Sequence, residues 1–152
     1  MMVPAGTILR LLGIALPANF AWEMLQAPAF TGMPDDWFLA TLACAQATVG
    51  DGIIMLGLFT LGVVTFRDWR WFSPPRLGRY GIIVLAGVAV QVVMEWTMAH
   101  GLGRWGYAGF HPIVPLLGVG LLPVLQAVVL VPLVFWGVGR WECHRPRRPR
   151  SG

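Results

Sequence analysis

The sequence predicts an all-α, polytopic membrane protein with four transmembrane helices, and three observations carry that expectation. Of the 152 residues, 57% are hydrophobic, and the mean hydropathy is +0.67. Only 12% are charged, against roughly a quarter in soluble domains. Four runs of about 20 or more apolar residues, enough to cross a bilayer, are separated by shorter polar or aromatic segments. A chain this short leaves no room for a second folded unit. The expected organisation is one membrane domain over residues 1–141 and a basic cytoplasmic tail over residues 142–152.

The first span runs near Thr7 to Ala29. Its start, Arg10 followed by the apolar run Leu11 to Leu16, also fits a secretory signal peptide. Pro17 and Asn19 interrupt that run, and Glu23 falls where cleavage is expected, which favours a retained helix. The second span, near Trp37 to Phe66, is long enough to tilt. It ends at the polar linker from Arg67 to Arg76, where Pro74 and Pro75 cannot continue a helix. The third span runs near Tyr80 to Ala99. The glycine- and aromatic-rich segment from Gly101 to Pro112 is too apolar for a freely solvated loop. It fits an interfacial loop or a re-entrant outer loop, the latter only where protein or a cavity satisfies its backbone. The fourth span runs near Ile113 to Gly139, with Pro115, Gly118, Gly120 and Pro123 placed to break its beginning.

The net charge is +4, from eleven Arg and no Lys. Its distribution argues against a nucleic-acid partner, because the arginines flank apolar spans. Arg67, Arg70, Arg76 and Arg79 share one loop, and Arg140, Arg145, Arg147, Arg148 and Arg150 lie at or in the tail. Placing both groups in the cytoplasm puts ten of the eleven Arg inside, Arg10 included, and only Arg104 outside. Both termini are then cytoplasmic. All-arginine usage fits a GC-rich bacterial genome and so a bacterial inner membrane. Trp69, Trp71, Tyr80, Trp136 and Trp141 would mark the inner interface; Trp37, Trp105 and Tyr107 would mark the outer one.

Against that apolar background, Glu23, Asp51 and Glu95 stand inside spans. A carboxylate at bilayer depth costs about 2.5–3.5 kcal/mol on the milder insertion scales, so it needs a partner or a purpose. Each belongs to a polar stripe at helical spacing: Asn19, Glu23 and Gln26; Cys44, Thr48 and Asp51; Gln91 and Glu95; with Gln126 on the fourth span. The four stripes should converge inside the bundle. Glu23, Gln26 and Glu95 then fall in the outer half and Asp51 near the middle, below a mouth formed by His100, Arg104, Trp105, Tyr107 and His111. Arg104 is the one cation placed to neutralise a carboxylate there. Gly50, Gly52 and Gly57 suggest close helix approach. The parallel between Asn19-x-x-x-Glu23 and Gln91-x-x-x-Glu95, and between Gln46-Ala47 and Gln126-Ala127, hints at two duplicated hairpins.

The chemistry these residues suggest is acid/base catalysis on an apolar, lipid-like or isoprenoid substrate. A protonated acid in an apolar site can protonate an alkene or a leaving oxygen, while a second carboxylate takes a proton or orients water. Glu23 and Glu95 are the candidate pair, with Asp51 as third member. Asn19, Gln26, Gln91 and Gln126 would orient substrate or water, and Trp22, Trp96, His100, Arg104, Trp105 and Tyr107 would line the pocket. Isomerisation, hydration and cyclisation all fit. Buried carboxylates also make proton relays, so a proton- or cation-coupled transport unit, as a homo-oligomer, is the second expectation. The third is a non-catalytic membrane subunit or assembly factor. The basic tail suits anionic membrane lipid in every case. Cys44 lies mid-span and Cys143 in the basic tail, so no disulfide between them is expected. His100 lies five residues after Glu95, which is not the spacing of two ligands on one helical face, and no H-E-x-x-H pattern occurs. His100 with His111 could hold a metal or haem only through loop geometry, and no cofactor is expected.

Overall fold

A computed structural model describes residues 3–143. Of the tail expected over residues 142–152, Glu142 and Cys143 are the last residues of the fourth helix, and residues 144–152 lie outside the described residues. Four helices dominate: α1 (Ala5–Gln26), α2 (Trp37–Phe66), α3 (Leu77–Glu95) and α4 (Leu121–Cys143). Each is long and apolar enough to cross a membrane, and the chain reads as an integral membrane protein. Outward-facing residues such as Leu9, Leu25, Ile53, Val64 and Leu85 are exposed and apolar, as a surface that meets lipid requires.

The helices run alternately up and down, with α1 packed on α2 and α4, and α3 packed on α4 and less extensively on α2. Two bundle ends follow. The tail end holds the start of α1, the end of α4 and the connection from Arg67 to Arg76; the loop end holds the α1–α2 and α3–α4 connections.

Local chemistry explains the boundaries. Asp36 caps α2 by accepting a hydrogen bond from Leu39 N at 2.9 Å. Arg67 ends that helix in the left-handed region, at φ 51°. The helical path of α3 continues as a wider π-turn over Trp96–Gly101, in which Leu102 N donates to Thr97 O at 2.9 Å. Pro123 sits in the first turn of α4, where its missing N–H costs nothing.

Three expectations need correction here. The fourth span begins at Leu121 and not at Ile113. Residues 113–120 instead form a small antiparallel hairpin, β3 (Ile113–Val114) on β4 (Val119–Gly120), its turn carried by Pro115 and by Gly118 at φ 66°. The other two short strands, β1 (Phe30–Thr31) and β2 (Gly106–Tyr107), pair antiparallel and tie the two loop-end connections together. Within the glycine-rich segment β2 pairs Gly106 and Tyr107, and further backbone bonds run from Arg104 N to Met98 O, Ala108 N to Ala29 O and His111 N to Ala108 O. Second, Trp71 does not sit at an interface. It is fully buried with Phe72, and its indole packs on Phe135, Phe66 and Tyr80 and donates to Phe59 O at 3.3 Å. Gly62 makes room for it: a Cβ there would collide with the indole ring. Third, of the three glycines read as close-approach positions, only Gly52 is one, with a Cβ landing 2.9 Å from Leu16. Gly50 and Gly57 face open space.

The apolar core occupies the tail half, built from Leu11, Ala15, Leu58, Phe59, Trp71, Phe72, Ile83 and the α4 face Leu130, Val134, Phe135 and Val138. At that end Arg10 and Glu142 pair at 3.0 Å, and Thr7 donates to Glu142 at 2.6 Å, joining α1 to α4. The loop half is different: there the helix faces turn polar and a cavity opens.

Candidate functional site

Helix periodicity brings the polar stripes together. Glu23 and Gln26 from α1, Asp51 from α2, Gln91 and Glu95 from α3 and Gln126 from α4 border one cavity of about 410 Å³. That lies within the range of about 300–1,000 Å³ typical of small-molecule sites. Beside the cavity, sharing Asp51, Gln91 and Gln126, lies a small annex of about 20 Å³ that Asn19 also borders, with otherwise apolar walls and room for one water. Below the annex, Leu58 of α2 lies against Gly87 of α3, where a Cβ would come within 3.3 Å of the leucine, and the packed core closes the bundle.

Gln126, buried on α4, is the hub. Its Nε2 donates to Asn19 Oδ1 at 2.9 Å and to Asp51 Oδ2 at 3.0 Å. Its Oε1 accepts a longer bond from Gln26 Nε2 at 3.4 Å. Gln26 Nε2 also donates to Glu23 Oε1 at 2.8 Å, and Trp22 Nε1 donates to Gln26 Oε1 at 3.0 Å. Asn19 Nδ2 donates to Ala15 O at 2.8 Å, which fixes its oxygen towards Gln126. One amide chain thus holds Glu23 and Asp51 in place.

Glu95 is held separately. It is buried at the end of α3, and the Tyr107 hydroxyl of β2 donates to its Oε2. Trp105 brings its buried indole N–H towards the same carboxyl group without completing a hydrogen bond. Tyr107 packs against His111 with ring centroids 4.8 Å apart, and against Phe30 at 5.9 Å. His111 is buried, and its Nδ1 donates to Ala29 O at 2.9 Å, since a carbonyl can only accept. Burial, together with the neighbouring Glu95 carboxyl, pushes the Tyr107 phenol up to about 12, so it remains a donor at neutral pH.

Of the residues the sequence nominates, Glu23, Asp51, Glu95, Gln26, Gln91, Gln126, Arg104 and Trp105 border the cavity, and Asn19 borders the annex. Four do not border it. Trp22 is half-buried against the core and reaches the network only through Gln26. Tyr107 acts on Glu95 from behind. Trp96 and His100 are exposed and pin the hairpin, through Trp96 Nε1 to Leu117 O at 2.8 Å and a His100 Nε2 contact to Gly118 O at 2.9 Å. Arg104 lies at the rim, yet among the described residues it forms no ion pair with any of the three carboxylates; the two ion pairs are Arg10–Glu142 and Arg79–Asp68. The expected neutralising role therefore falls to amide and phenol donors. Both members of each proposed duplicate pair, Glu23 with Glu95 and Gln46 with Gln126, border the same cavity. Cys44 is buried on its wall and Cys143 is exposed, both as free thiols.

Sequence reasoning passed over most of the residues that create the space and read Gly50 as a close-approach position. Ala43, Ala47 and Gly50 form a small-residue stripe on α2, and Met33, Met94 and Met98 supply adaptable apolar walls. The spacing of Ala43, Ala47 and Gly50 beside Asp51 was the available signal.

Fold and site together define a four-helix integral membrane protein with a mainly apolar cavity, bordered by three carboxylates, at one end of the bundle. No protein-family model matches the chain, and comparison with curated proteins and with solved structures finds no significant match.

Proposed function

We propose that the protein is a membrane enzyme that carries out acid/base chemistry on an apolar, lipid-like or isoprenoid substrate. The observation that supports this most is the convergence of Glu23, Asp51 and Glu95 on one cavity of ligand size. In the simplest cycle Glu23 delivers a proton to an alkene carbon, and the neighbouring carbon becomes cationic. Glu95 then takes a proton from an adjacent C–H, its Oε1 being free while Tyr107 occupies Oε2. The double bond has moved, and proton exchange between the acids restores the starting state. With water in the annex, capture of the same cation gives hydration, Asp51 taking the proton that the attacking water loses. Attack by a second alkene of the substrate gives a ring cation, and loss of a proton to Glu95 completes cyclisation.

The packed tail half supports an enzyme over a conduit, because Trp71, Phe72 and Phe135 fill the bundle axis beneath the cavity. The arginine bias supports insertion into a bacterial inner membrane with both termini cytoplasmic, which reporter fusions at the C-terminus would check.

The test compares lipid extracts of cells expressing the wild type, Glu23→Gln and Glu95→Gln, with reconstituted proteins assayed in parallel. A new or depleted lipid species in the wild type, lost in both variants while both still fold, is the expected result. Proton flux into vesicles without any lipid change would replace this reading with the transport one. Co-purification with a larger complex, together with tolerance of both substitutions, would replace it with the subunit one.

A further inference from the structure

The cavity is not open only at the bundle end. Gln46, Ala47 and Gly50 on α2 and Met94 on α3 border it and are at the same time exposed on the lipid-facing surface. These residues lie on facing stripes of the two helices. Helices α2 and α3 are the least closely packed of the neighbouring helix pairs. They touch at Leu58 and Gly87, and towards the loop end both border the cavity beside Asp51 and Glu95. The seam between them, lined by the exposed Gln46, Ala47, Gly50 and Met94, is the gap in the cavity wall. No side chain and no other element comes within 4 Å of a Cβ position at Gly50.

The polar groups behind the gap limit what can enter. The interior carries three carboxylates, and the cation bordering it, Arg104, is exposed at the rim. An anionic head would face acids with no buried positive partner, at high cost. Each carboxylate already accepts a hydrogen bond, from Gln26, Gln126 or Tyr107. Among the described residues the amides of Gln46 and Gln91 find no hydrogen-bond partner, so each offers both a donor and an acceptor to a ligand.

We infer that the cavity is loaded sideways from the bilayer through the gap between α2 and α3. Its ligand is a membrane-resident amphiphile with an uncharged oxygen head, a hydroxyl or carbonyl. The head seats between Gln91 and the carboxylates, and the hydrocarbon chain trails past Ala47 and Gly50 into lipid. This inference rests on the reading above for the use of the site, but it concerns entry and occupancy, and its test needs no turnover.

The experiment uses the full chain in lipid vesicles containing a long-chain alcohol with a diazirine near its hydroxyl. After irradiation, mass spectrometry maps the labelled residues. The expected label falls on cavity-wall residues such as Cys44 and Met98 in excess of the lipid-facing Val64 and Val128. Unlabelled alcohol of the same chain competes for it and the matching fatty acid anion does not; the matching alkylammonium is the control for a cationic head. Gly50→Phe fills the gap and lowers cavity labelling about tenfold while labelling at Val64 is unchanged, and Ala47→Phe gives the same result independently. Retained labelling at Val64 reports that each variant is folded. Cavity labelling unaffected by both substitutions would overturn lateral entry. Equal or better competition by the charged analogues would overturn the uncharged head. Even labelling over the whole lipid face would overturn the site altogether. Specific labelling without any lipid conversion would leave this inference standing and remove the catalytic one, so the two failures are distinguishable.

Discussion

Replacing Gln126 with Leu removes the residue on which the amide network turns. The side chain is buried, and leucine matches it closely in volume, so the change deletes hydrogen bonds with little cavity cost. Two bonds of good geometry disappear, to Asn19 at 2.9 Å and Asp51 at 3.0 Å. The third, at 3.4 Å, is weak and adds little. Side-chain hydrogen bonds between membrane helices average about 0.6 kcal/mol and reach about 1.7, so Gln126→Leu should destabilise the fold by about 1–3 kcal/mol. Asn19 Oδ1 and Asp51 Oδ2 lose their donors together, which favours the upper part of that range. Unfolding equilibria in bicelles or mixed micelles give the stability directly, and a double-mutant cycle with Asn19→Ala isolates the shared bond. The cycle should show coupling of about 0.5 kcal/mol or more. Stability within about 0.3 kcal/mol of wild type, or strictly additive effects, lies inside the scatter of independent sites and would show that Gln126 does not hold the two helices together.

Other parts of the structure carry their own tests. Arg10 and Glu142 are paired with side chains only 12% and 8% exposed. Arg10→Met alone should cost about 3 kcal/mol by stranding Glu142, whereas Arg10→Met with Glu142→Leu should recover most of that in the same unfolding assay. Gly62→Ala drives a methyl group into the Trp71 ring and should destabilise by about 1–3 kcal/mol, with Trp71→Phe partly rescuing it in the double variant. The Tyr107 phenol should ionise near 12 in an ultraviolet difference titration, against an ordinary value of about 10. Its raised pKa keeps the donor form throughout the neutral range, so activity should show no loss assignable to Tyr107 until strongly alkaline pH. Tyr107→Phe, by releasing Glu95, should lower turnover about tenfold or more at every pH below that.

How legible this was from sequence depends on the range of the interaction. The four helices were readable because bilayer length and apolar content are local properties, and the α2 boundaries from Trp37 to Phe66 follow from Asp36 and Arg67. The polar stripes were readable because helical spacing puts Asn19, Glu23 and Gln26 on one side. Which stripe meets which was not, since Gln126 reaches Asn19 across 107 residues and Arg10 reaches Glu142 across 132. Trp71 misled for a physical reason. A tryptophan between arginines beside a span usually marks an interface, but Gly62 leaves a slot that takes the whole indole inside. The late start of α4 misled likewise. Residues 113–120 are apolar enough for a span, yet Pro115 and Gly118 turn them into a hairpin. Empty space has no sequence signature beyond small side chains, so the stripe of Ala43, Ala47 and Gly50 could be read equally as helix contact.

The central claim is that Glu23, Asp51 and Glu95 share one cavity in order to move protons on a membrane-resident substrate. Solvent-deuterium incorporation tests it most directly. The protein, reconstituted in vesicles made from total lipid extract of its expression host supplemented with polyprenyl lipids, is incubated in D₂O, and the lipids are re-extracted into ordinary water before mass spectrometry. The account predicts a species carrying carbon-bound deuterium that survives back-exchange, present with wild type and absent with Glu23→Gln and with Glu95→Gln. Carbon-bound deuterium appearing equally with both variants, or in no lipid while the protein is folded and its cavity occupied, would contradict it.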